Sequence, residues 1–121
     1  MSDKKTLVLG ASTNAYRYSN IAVKKLLSFG HEVVAIGIKS GRIEGVEIQI
    51  DGENIERIHT VTIYISPKNQ HQYYDYILNL SPYRVLFNPG TINIAFMTLL
   101  GKNGIDVVEA CTLVMLSANT Y

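Results

Sequence analysis

Short apolar runs alternate along this chain with stretches in which apolar residues recur every three or four positions. That pattern predicts strands separated by helices. Thr6 to Leu9 is an apolar run too short for a helix, and it stops at Gly10. A helix follows, with Ser19 as its predicted N-cap and Ala22, Val23, Leu26 and Leu27 at helical spacing; Gly30 ends it. Val33, Val34, Ala35, Ile36 and Ile38 form a near-continuous apolar run, the pattern of a strand buried on both faces.

Residues 39–60 are the least regular part. Val46, Ile48 and Ile50 alternate with Glu47 and Gln49, which reads as a half-exposed strand at the sheet edge. Val61 to Ile65 is a β-branched strand, and Ser66-Pro67 starts a second helix whose stripe is Tyr73, Tyr74, Ile77 and Leu78. Arg84 to Phe87 is the next strand, closed by Asn88-Pro89-Gly90-Thr91. A third helix carries Ile92, Ala95, Phe96, Leu99 and Leu100, a strand spans Ile105 to Val108, and Cys111 to Leu116 is a terminal element of undefined type.

Such alternation predicts an α/β fold: a single Rossmann-like domain over residues 1–121, with a mostly parallel open sheet and helices on both faces. The loops at the carboxyl ends of the strands then share one edge, where open α/β sheets bind ligands. Those loops are Gly10–Ser19, Lys39–Gly45, Ser66-Pro67 and Asn88–Thr91.

Composition narrows the ligand class. The chain has 121 residues, 47% hydrophobic and 17% charged, with a net charge of +1 and no basic stripe. Nucleic acid is therefore an unexpected partner. No segment reaches membrane length, and the apolar run after Lys4-Lys5 is shorter than a signal-peptide core. With Cys111 alone, the expected setting is the reducing cytoplasm.

Strand, small polar loop and helix in that order present backbone N–H groups to a phosphate. The candidates are Gly10, Ala11, Ser12, Thr13, Asn14, Arg17 and Ser19. The dinucleotide pattern G-x-G-x-x-G/A is incomplete: Gly10 and Ala15 fit, but Ser12 stands at the middle glycine. The acid that an NAD site places after the second strand is missing, and Ile36-Gly37-Ile38-Lys39 stands there instead. Lys39 favours a phosphorylated ribose, as in NADP or coenzyme A. No Walker pattern is present.

Several segments together carry a specific resemblance. Gly10-Ala11-Ser12, Arg17-Tyr18-Ser19, and a helix ending Gly30-His31-Glu32-Val33 resemble the small stand-alone CoA-binding domain family. So do Ile43-Glu44-Gly45-Val46, Ile65-Ser66-Pro67, Asn88-Pro89-Gly90, and Val107-Val108 followed by Cys111. The family shares its fold with the nucleotide-binding domain of the succinyl-CoA synthetase α subunit. The resemblance implies that the first loop and helix cradle the phosphates of CoA or an acyl-CoA, with Ser66-Pro67 bordering the nucleotide. Asn88, Pro89 and Gly90 complete the implied site. One departure stands at strand two, which in the family usually ends Val-Asn-Pro.

Each candidate has a plain structural alternative. Arg17 is a phosphate ligand or a solvated cation, Lys39 a ribose-phosphate contact or a surface lysine, Ser19 a helix cap, a ligand contact or both. His31, His59 and His71 lie apart with no ligand spacing, so no metal site is expected. Cys111 reads as a small buried residue, and Tyr76 falls off its helix stripe without being assigned to an interface. Two alternatives to a CoA-binding module remain. A small NADP-dependent oxidoreductase finds no Tyr-x-x-x-Lys pair on the second helix, where Tyr73, Tyr74 and Tyr76 are followed four residues on by Ile77, Leu78 and Leu80, and an acyl-CoA ligase subunit would need a second chain.

Overall fold

In the computed structural model, which describes residues 3–121, the alternation becomes β1 (Thr6–Leu9), α1 (Tyr18–Ser28), β2 (Val33–Ile36), β3 (Gly41–Ile43), β4 (Val46–Gln49) and β5 (Thr60–Ile63). Two 3₁₀ turns, Pro67–Asn69 and His71–Tyr73, lead into α2 (Tyr74–Leu80). Then come β6 (Arg84–Phe87), α3 (Ile94–Lys102), β7 (Asp106–Glu109) and α4 (Thr112–Ser117). The strands form one sheet in the order β3-β4-β2-β1-β5-β6-β7. All neighbours are parallel except the β3–β4 hairpin.

Side chains alternate faces along a strand, so β1 feeds two cores at once. Leu7 and Leu9 pack with Ile63, Phe87, Ile77 of α2, and Phe96 and Leu100 of α3. Val8 packs with Ala35, Ile48, Val23 and Leu26 of α1, and Leu116 of α4. The expected Rossmann-like domain with helices on both faces is therefore what forms. Burial on both faces explains why the central strands read as unbroken apolar runs.

Several local expectations shift. Arg17, in extended conformation, is the N-cap of α1, and Ser19 lies inside the first turn with its residue buried. The alternating segment is β4, one strand in from the edge. The edge belongs to β3, whose Gly41-Arg42-Ile43 is too short to show a period. Ser66-Pro67 opens a 3₁₀ turn rather than α2: the amides of Gln70 and Tyr73 bond three residues back, to Pro67 and Gln70, and Gln70 turns into the interior. The terminal element is a helix. Tyr76, off the apolar stripe, is nevertheless held inward: its hydroxyl donates to the Gly52 carbonyl at 2.8 Å, and its ring packs against the core.

Candidate functional site at the carboxyl edge

The chain leaves β1 for β2 on one side and meets β5 on the other, so the sheet order reverses at β1. A crevice for a ligand opens above such a point. The loop from Gly10 to Arg17 lies there, wedged between two other strand exits. The amides of Gly10 and Ala11 both donate to the Ile36 carbonyl at the end of β2, at 2.8 and 2.9 Å. On the other side, a Cβ at Gly10 would lie 2.9 Å from Ile65 Cγ1 and 3.0 Å from the Tyr64 carbonyl oxygen. Gly10 also holds φ at +99°, which strains any side chain.

This geometry divides the loop. Gly10 and Ala11 form its floor, and their committed amides have no hydrogen left for a phosphate. Further along, Asn14 N donates to Ser12 Oγ and Tyr16 N to Asn14 Oδ1. Among the described residues, the amides of Ser12, Thr13, Tyr18 and Ser19 donate to nothing within the chain. The start of α1 carries no side-chain cap and no acidic residue in its first turn. Its partial positive charge is thus unopposed, with the exposed Arg17 adding to it. An anion is the group that such a helix start accepts most readily.

The other exits contribute unequally. Lys39 is exposed after β2, as are Ser66 and Pro67 after β5. Lys68 is exposed beside them, a cation that sequence reasoning passed over because it sits in a uniformly polar run. Arg17, Lys39 and Lys68 take part in no ion pair among the described residues. Asn88 is committed elsewhere: its Nδ2 donates to Thr62 Oγ1 at 2.7 Å and to the Ile63 carbonyl at 2.9 Å, and its Oδ1 accepts from Thr112 N at 2.9 Å. That leaves the exposed Pro89 and Gly90 as the open part of the β6 exit, two strands from β1.

Residue for residue, the family model for a CoA binding domain matches positions 4–117. The chain belongs to the CoA-binding domain family. A crystal structure of an uncharacterized protein is 48% identical, with each chain fully covered and a TM-score of 0.97. A hypothetical protein from Pyrococcus horikoshii OT3 is 24% identical over 96% of this chain and 83% of its own, with a TM-score of 0.88. The dinucleotide-forming acetyl-coenzyme A synthetase 1 of Ca. Korarchaeum cryptofilum shares the fold: 14% identity, TM-score 0.75, 88% of this chain and 25% of that one. No curated protein matches the sequence.

For a member of the CoA-binding domain family, the residues that sequence reasoning missed are the ones holding the loops together. Gln70, fully buried, donates to the carbonyls of Ile65 and Thr91 at 2.9 and 2.7 Å, tying the β5 exit to the β6 exit. Asn20, also buried, donates to the Ser12 carbonyl at 2.9 Å, while its Oδ1 has no partner. Tyr64 holds a buried hydroxyl with no hydrogen bond. Burial pushes that phenol up to about 12, against the hydroxyls of Thr112 and Thr62 nearby. Cys111 is half-buried at the start of α4 rather than in the core, because β7 is an edge strand with no neighbour to cover its exit.

Proposed function

We propose that this chain binds coenzyme A or an acyl-CoA at the carboxyl edge of its sheet. In this reading the diphosphate lies over Ser12, Thr13 and the first turn of α1. The observation that carries it is the uncapped start of α1, with free amides at Tyr18 and Ser19 and Arg17 at the cap position. Membership of the CoA-binding domain family supports CoA as that anion. Gly10 and Ala11 act as the floor on which the loop rests, and Asn14 shapes it. Arg17, Lys39 and Lys68 supply mobile positive charge for three phosphate groups, each through charge-assisted contacts. Ser66, Pro67, Pro89 and Gly90 border the extended remainder of the ligand. Asn88 supports that border from below.

We assign this chain ligand binding and no reaction of its own. Isothermal titration with CoA, 3′-dephospho-CoA and NAD tests the reading. CoA binds, dephospho-CoA binds more weakly, and NAD binds weakest. Arg17→Ala weakens CoA by roughly 1.5–3 kcal/mol, the range for hydrogen bonds to charged groups, and by less at high salt. NAD binding without CoA binding would overturn the reading.

A further inference from the structure

The segment that leaves β2 holds the phosphate loop from outside, and two glycines set how closely it does so. A Cβ at Gly37 would overlap the Ala11 carbonyl oxygen and come within 2.9 Å of Ile48 Cγ2. A Cβ at Gly41, the first residue of β3, would lie 2.5 Å from Thr13 Cγ2, with Thr13 Cβ the next atom at 3.9 Å. With the Ile36 carbonyl holding the Gly10 and Ala11 amides, residues 36–41 touch the loop at three of its first four positions.

The loop has Gly10 as its one glycine, and Ser12 stands where a dinucleotide loop has its middle glycine. Its height over the sheet is fixed by what it rests on. We infer that Gly41 is a positioning residue for the phosphate site, acting through Thr13 to set the free Ser12 and Thr13 amides. The inference rests on the CoA reading above.

The two glycines differ in what a side chain would do. At Gly37 the obstacle is backbone, which cannot give without moving β1 or β2. At Gly41 the obstacle is a methyl group on the exposed, β-branched Thr13, whose stiff side chain passes the displacement to its own backbone without moving a strand. Gly41 is outside the left-handed region, so alanine fits its backbone, and it stays paired opposite Ile48. A Gly41→Ala change therefore displaces Thr13 while the sheet stays intact. Thr13→Ser removes the obstructing methyl and keeps the hydroxyl.

The test is a rescue cycle on the full chain: parent, Thr13→Ser, Gly41→Ala and the double variant, each titrated with CoA and melted without it. Gly41→Ala loses about tenfold in CoA affinity through lost preorganisation, with a melting temperature close to the parent's. The double variant returns to the affinity of Thr13→Ser alone. Parent-like binding by Gly41→Ala, or no recovery in the double variant, would overturn the inference. Amide spectra of the four ligand-free proteins separate this outcome from failure of the CoA reading. The Ser12 and Thr13 signals shift in Gly41→Ala and return in the double variant, whether or not CoA binds. If they do not move, the contact positions nothing.

Discussion

Asn20 Nδ2 donates to the Ser12 carbonyl at 2.9 Å, tying the first turn of α1 to the loop before it. The bond costs the helix its best hydrogen-bonding side chain near that end, and it leaves Asn20 Oδ1 buried without a partner. Such a loss is tolerated where it fixes a loop. Asn20→Ala is expected to lower stability by about 0.5–1.5 kcal/mol, the net worth of one hydrogen bond. CoA affinity should fall by more than that stability loss explains. Urea unfolding and calorimetric titration of the same variant check both parts.

Gly10 behaves as a packing residue. A methyl group there meets Ile65 and the Tyr64 carbonyl and is strained by the positive φ. Gly10→Ala is expected to destabilise the ligand-free chain by about 1–3 kcal/mol, as overpacking does. The drop in unfolding midpoint without ligand is the measurement. A variant as stable as the parent would show that β5 does not confine the loop.

Asn88 is expected to matter for folding rather than for ligand contact. Asn88→Ala leaves Thr112 N and the Ile63 carbonyl unpaired in the interior, at about 1–3 kcal/mol for each buried group. The melting temperature should fall sharply. Where the variant is still folded, at low temperature, CoA affinity should change by less than the Arg17→Ala variant does.

Acid should destabilise the opposite edge of the sheet. His31 Nδ1 accepts the Lys4 backbone N–H at 3.0 Å, so it carries no proton, and Asp3 at 3.9 Å is no ion-pair partner for it. Burial holds His31 below its ordinary value of 6.5; Asp3 opposes this and Lys4 and Arg84 add to it. Burial also lowers His59, helped by Arg84, Lys4 and His31. The unfolded chain therefore takes up these protons first as pH falls. The stability is fully present above 6.5 and is lost below it, as pH falls toward the folded-state values. Urea midpoints measured from pH 8 to pH 5 should decline below 6.5, and His31→Asn should flatten part of that decline.

Strand and helix order and the face-to-face burial were legible, because both rest on apolar periodicity that packing reinforces. The support of the site was not. Gln70 sits in the run Lys68-Asn69-Gln70-His71-Gln72, which reads as solvated, yet it alone of these is buried to bridge Ile65 and Thr91. Asn20 carries no sequence signal of its bond to the Ser12 carbonyl. β3 escaped notice because Gly41-Arg42-Ile43 offers three residues and one buried side chain. Long-range hydrogen bonds leave no period in a sequence. The same reason hid the commitment of the Gly10 and Ala11 amides to Ile36.

Backbone amide shifts on titration with CoA test the central claim most directly, because they locate the ligand as well as detect it. The account predicts the largest changes at Ser12, Thr13, Tyr18 and Ser19, with smaller ones near Lys39 and Ser66 and none around His31 and His59. Changes centred away from the α1 start, or no saturable change at all, would contradict it.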